Sequence, residues 1–238
     1  MNDATIRAHF HSTFLRRYHA SKHTRVLDEM GLLHGSCRAD IAVINGQLIG
    51  FEIKSNHDSL RRLQLQIIAY NAVFDQVTIV VGTRHLRAVS CRVPKWWGII
   101  VGDEAKLDHV TFDVQRKPRA NPSMDPVSVA QLLWKNEVVE LLRNFGAPPS
   151  LLKSPRRLLY QVLAWHLSFD DLKRIVCNQL KSRKRWRDQQ RPFQDDDLYR
   201  PIATSLDFQS RQPLVRTSQR SRLQQRTSCQ GTGLILPV

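Results

Sequence analysis

Cys37-Arg38-Ala39-Asp40-Ile41-Ala42-Val43-Ile44-Asn45-Gly46-Gln47-Leu48-Ile49-Gly50-Phe51-Glu52-Ile53-Lys54-Ser55 is the stretch on which the fold turns. Two short apolar runs flank Asn45-Gly46, a strong hairpin signal. Side chains on a strand alternate between faces, so Glu52 and Lys54 share one. A two-residue turn would pair Ile44 with Gln47 and Asp40 with Phe51, aiming Asp40 away from Glu52. A three-residue loop, Asn45-Gly46-Gln47, pairs Ile44 with Leu48 and Asp40 with Glu52. It also leaves Ile41 and Val43 on one apolar face with Ile49, Phe51 and Ile53. Gly46 supplies the left-handed residue such a loop needs. A reading that sets Asp40 opposite Glu52 in one site therefore predicts an odd-length loop.

Ionisable groups in a segment this apolar need a reason. Asp40 and Glu52 held side by side repel unless a cation lies between them, and two carboxylates suit Mg2+ or Mn2+. Such an ion polarises a phosphodiester and acidifies a bound water, which Lys54 would position. The plainer reading is a surface strand with an exposed salt bridge. The pattern Asp40, then Glu52-Ile53-Lys54-Ser55, Asp58, Gln66 and Tyr70 resembles the PD-(D/E)XK nuclease superfamily, and within it one bacterial branch. Ala39 stands where the nominal motif has Pro. The resemblance spans roughly residues 20–188, with its informative motifs in 29–70. It implies a mixed sheet flanked by helices and Mg2+-dependent cleavage of DNA, with Asp40, Glu52 and Lys54 catalytic. It implies metal ligation by Asp40, Glu52, the Ile53 carbonyl and Glu29, and strand placement by Gln66, Tyr70, Arg61 and Arg62.

The net charge of +15 favours a polyanionic partner, nucleic acid first and an acidic membrane surface second. Cys37, Cys91, Cys177 and Cys229 are far apart, which argues against a zinc or disulfide framework and for a reducing, cytoplasmic setting. No apolar run approaches the ~18 residues of a membrane span.

In chain order, Asp3 can cap a helix to about Tyr18, with Ile6, Phe10 and Phe14 on one face. His9, His11, His19 and His23 show no clean ligand spacing. Residues 24–33 are ambiguous between helix end and strand. Asp58 reads as the cap of a helix from Ser59 to Phe74, and Gln76–Gly82 as a buried central strand, with Arg84, His85 and Arg87 just past its end. Val89–Val93 and the run to Gly102 suggest further strands, and Val110, Phe112 and Val114 a last one. Trp96-Trp97 reads as a core closure. Three helices should follow, opened by Asp125-Pro126, Ser154-Pro155 and Ser168, and these either bundle together or pack back on the sheet. The third ends in the basic cluster Lys181–Arg187.

The sequence thus predicts an α/β nuclease-like domain over residues 1–117, a linker over 118–124, a helical region over 125–188 and a basic tail over 189–238, disordered from 203. The function it points to is a DNA hydrolase, either cutting inside strands or from their ends, and possible as a homodimer. The rivals are a non-catalytic nucleic-acid-binding module on the same fold and an interaction factor in repair or mobile-element biology.

Overall fold

The computed structural model describes residues 3–105 and 109–183. The expected tail and the end of the basic cluster lie outside the described residues. A six-stranded mixed sheet runs in the order β1 (Arg25–Leu32), β2 (Cys37–Ile44), β3 (Leu48–Lys54), β4 (Gln76–Gly82), β5 (Gly98–Ala105), β6 (His109–Arg116). Pairs β1/β2, β2/β3 and β5/β6 are antiparallel, whereas β3/β4 and β4/β5 are parallel. The parallel pairs need crossovers, supplied by α3 (Leu63–Val73) and α4 (Leu86–Arg92).

The hairpin has the odd loop. Ile44 pairs with Leu48 and Ile41 with Phe51, and Gly46 takes φ +101°. One face of the sheet carries Ile41, Val43, Ile49, Phe51, Ile53, Val80 and Ile100, covered by Ile6 and Phe10 of α1 (Asp3–Ser12) and by Leu15. The expected single helix to Tyr18 is broken: the chain turns at 13–15 and resumes as α2 (Arg16–His19). Burying Leu15 while stacking Phe14 on Phe10, at 4.9 Å between ring centres, favours the turn over a straight continuation.

The other face packs on α3 and on α5 (Pro126–Ala130), α6 (Lys135–Asn144), α8 (Arg156–His166) and α9 (Phe169–Ser182), with α7 (Pro149–Leu152) beside α6. One apolar cluster runs from Leu27 and Ile44 through Tyr70 and Phe74 to Leu163, Val176 and Leu180. The C-terminal helices therefore pack back on the sheet. Asn121 donates to the carbonyls of Asn71 and Phe74, Asp125 N–H donates to Ala72 O, and Lys173 pairs with Asp75 at 2.9 Å. Asp125 and Ser168 cap α5 and α9 as their side-chain chemistry suggests. Trp97 is fully buried and donates from Nε1 to Asn71.

Two expectations need correcting. Val89–Val93 is not a strand: Leu86, Val89 and Val93 fall at helical spacing against the core, and residues 86–92 form α4. Asp58 does not cap α3, which begins only at Leu63; its carboxylate accepts from Ser55 N–H at 2.6 Å and closes the turn after β3. No helix among the described residues is long and apolar enough to cross a membrane.

Gly50 fixes how closely α3 approaches the sheet. A Cβ there would lie 2.7 Å from the buried Phe74 ring. Gly50→Ala should cost about 1–3 kcal/mol by urea denaturation. Adding Phe74→Leu should recover part of that loss, a coupling that a double-mutant cycle measures.

Candidate functional site

Past the Ile41–Phe51 pair the β2/β3 ladder ends and the strands part around Asp40 and Glu52. Asp40 N–H donates to the Tyr70 hydroxyl at 3.1 Å, and Ile53 N–H donates to Asp40 Oδ2 at 2.7 Å. On the other side of β2, the β1/β2 ladder skips Glu29, which lies opposite Asp40 with φ +53°. The pairing register is the same on both sides of this position, but the in–out alternation is interrupted in both strands. Ala39 and Ala42 enter the same core cluster, as do Leu27 and Met30, although strict alternation would separate them. Asp40 thus places its carboxylate in the gap between strands instead of completing a cross-strand pair with Glu52.

Glu52 has no exposed surface. Its Oε1 accepts from Lys54 Nζ and Gln66 Nε2, each at 2.5 Å, and its Oε2 accepts from the Tyr70 hydroxyl at 2.6 Å. α3 explains the convergence: Gln66 and Tyr70 are one helical turn apart, on the side facing β3. Burial pushes the Glu52 carboxyl above its usual range, against the pull of Lys54, Tyr70 and Gln66. Burial, then the neighbouring Glu52 charge, raises the Asp40 carboxyl to about 7, against Ile53 N–H, Lys54 and Arg7. Tyr70 is pushed well above the ordinary phenol value by burial and by both carboxylates.

Arg7 of α1 is the member that sequence reading missed. Its guanidinium donates to Asp40 O at 2.7 Å and Glu29 Oε1 at 2.9 Å, and lies 3.5 Å from Asp40 Oδ1. The Asp3–Arg7 pair at helical spacing is visible in sequence and is made at 3.3 Å, but nothing local links Arg7 to Asp40. Glu29 is therefore held by Arg7. Arg61 and Arg62 precede α3 and are exposed. Tyr70 is wholly buried, so it ties strands and helix together and does not line an open cleft.

As arranged, this donor set does not fit Mg2+. Both Glu52 oxygens are taken by donors of the chain, and the Lys54 ammonium stands where a cation beside Oε1 would go. Among the described residues no group of three or more His, Cys, Asp or Glu converges on a metal position. The arrangement forms a buried charge pair with its hydrogen bonds supplied, while Gln66 Oε1 is a buried atom with no hydrogen-bond partner.

Comparison with known proteins decides the family. The description Bacteriophage P4 protein cII matches residues 2–200. The chain belongs to the bacteriophage P4 protein cII family. Protein cII of Enterobacteria phage P4 is 33% identical over 158 residues, covering 66% of this chain and 59% of that protein. The chain thus spans about three fifths of that relative's length. No solved structure matches.

Family membership overturns the PD-(D/E)XK resemblance, and with it the bacterial nuclease, the hydrolase chemistry and the rival module defined on a nuclease-like fold. The matched descriptions name no enzymatic activity. The physical reason for the false match is plain. An acid, then Glu-x-Lys on the next strand, is also what a buried ion pair on a hairpin requires.

The raised Asp40 carboxyl gives a pH signature. Its folded value, about 7, lies above the ordinary 3.8, so the folded state holds the proton through that window. Its contribution is therefore fully present below about 4 and is lost as pH rises through about 7. Asp40→Asn keeps an acceptor for Ile53 N–H and should flatten the fall in urea midpoint between pH 5 and pH 8, by an amount on the order of 1–3 kcal/mol. An equally steep fall in the variant would remove Asp40 as its source.

Proposed function

We propose that this chain, a member of the bacteriophage P4 protein cII family, acts by binding, and that its partner is DNA in the cytoplasm. The observation that carries the reading is an arginine-bearing edge where the parallel strands end. In open α/β sheets ligands gather at the carboxyl ends of the strands. Here β3 and β4 are parallel neighbours, so the segments leaving them emerge on one edge.

The segment after β3 brings Asn56, Arg61 and Arg62, and the segment after β4 brings Arg84 and Arg87. Arg84 is held in place: its N–H donates to Asn56 Oδ1 at 3.1 Å and its guanidinium to Asn56 O at 3.3 Å. Gly82 leaves room for this, since a Cβ there would lie 2.1 Å from Asn56 Oδ1. Arg61, Arg62, Arg84 and Arg87 are all exposed. Exposed guanidinium groups on a chain of net charge +15 favour phosphate contacts, which position a protein on a duplex without reading its sequence. The Glu52 network lies beneath this edge and fixes where β3 ends relative to α3.

Fluorescence anisotropy with a labelled duplex tests the reading. Wild type should bind with a steep dependence on salt. Arg61→Ala/Arg62→Ala/Arg84→Ala should weaken binding at least tenfold at low salt and lower the log–log salt slope by roughly 2–3, near 0.9 per lost phosphate contact. No binding by wild type, or an unchanged slope in a folded variant, would overturn it.

A further inference from the structure

The break between α1 and α2 brings together two histidines that sequence spacing keeps apart. Leu15 N–H bonds to Phe10 O at 2.9 Å, and Phe10 and Leu15 are both fully buried. The chain therefore folds back on two apolar anchors, and His19 comes to lie against His11. The facing atoms, His11 Nδ1 and His19 Nε2, are 2.9 Å apart. The other nitrogen of His11, Nε2, lies 2.9 Å from Asp28 Oδ1 on β1.

We propose that His11 and His19 form a two-nitrogen site for a borderline transition-metal ion such as Cu2+, Ni2+ or Zn2+, with Asp28 orienting His11. In the tautomer in which His11 Nε2 donates to Asp28, Nδ1 keeps its lone pair toward His19. A carboxylate on the remote nitrogen of a ligating imidazole is a recurring arrangement around bound metals. Two cis nitrogens, each ~2.0–2.1 Å from one ion, stand roughly 2.9 Å apart. The rings now face each other head-on, 5.2 Å between centres, so both must swing outward, giving up their mutual hydrogen bond, to turn their lone pairs on one ion. Imidazole donors select these ions over Mg2+.

The surroundings favour a cation despite the basic chain. The groove beside His11 is lined by Asp3, Asp28 and Glu29, with Arg7 the one cationic side chain among its described lining residues. On α2, Arg16 is exposed, and the Arg17 guanidinium is occupied by the Tyr18 ring at 4.8 Å. Water supplies the remaining positions, because His19 is exposed. A bound ion would cross-link α1 and α2 and, through Asp28, tie both to the sheet edge. The site owes nothing to the DNA proposal.

Calorimetric titration of the full chain with Cu2+, Ni2+ or Zn2+ in metal-free buffer tests it, beside the Cu2+ electron-paramagnetic spectrum. One site is expected, showing two coordinated imidazole nitrogens. It should be lost in His11→Gln and in His19→Gln, and weakened roughly 10–100-fold in Asp28→Asn. His19 is exposed and His11 half-buried, and far-UV circular dichroism checks that the variants fold. No stoichiometric binding, or a site that persists in both histidine variants, would overturn the proposal; a proton shared between the rings then explains their contact.

Discussion

A carboxylate sealed between a sheet and a helix is the constraint on which the rest depends. Glu52 has no water to turn to, and taking such a charge out of water costs several kcal/mol unless partners replace it. Lys54 supplies the opposite charge from the same strand, while Gln66 and Tyr70 supply hydrogen bonds from α3. Each of those requirements fixes geometry. The helix must lie with one particular face on β3. Tyr70, once bound to Glu52, also holds Asp40 N–H, and so sets where β2 and β3 part.

The consequences run through both layers. Because β2 parts from β3 at Asp40, the carboxylate of Asp40 is free to cap Ile53 N–H and to meet Arg7, which anchors α1 from the opposite face. The break in alternation at Glu29 and Asp40 then puts Leu27, Met30, Ala39 and Ala42 together against the large helical layer. On that side Phe74 presses on Gly50, and Asn121 and Lys173 bind the helical segments to the end of α3. A buried polar network of this kind specifies one arrangement because the alternatives leave its members without partners.

Much of this was legible in the sequence. The odd loop followed from setting Asp40 opposite Glu52, and the same register keeps Ile41 and Val43 with Phe51 and Ile53. The β-branched run from Val77 to Val81 read correctly as a buried strand, and the helix starts at Asp125 and Ser168 followed from cap chemistry. What failed was whatever depends on distant chain. Arg7 reaches Asp40 across 33 residues, and His11 meets His19 only because the helix between them breaks. The break in alternation at Glu29 leaves no local signature. The meaning of the acidic and basic trio failed for another reason. A hairpin that buries a Glu–Lys pair and one that holds a catalytic ion share the same short pattern; the donors around Glu52 and family membership over residues 2–200 separated them.

Lys54 neutralises a buried Glu52. Urea denaturation of Lys54→Met at pH 8 tests it most directly, with Glu52→Gln/Lys54→Met as the partner measurement. Stranding Glu52 should cost about 3–5 kcal/mol, and removing its charge as well should recover much of that loss. A single variant as stable as the wild type would contradict the account, because Glu52 would then not need the charge that Lys54 brings.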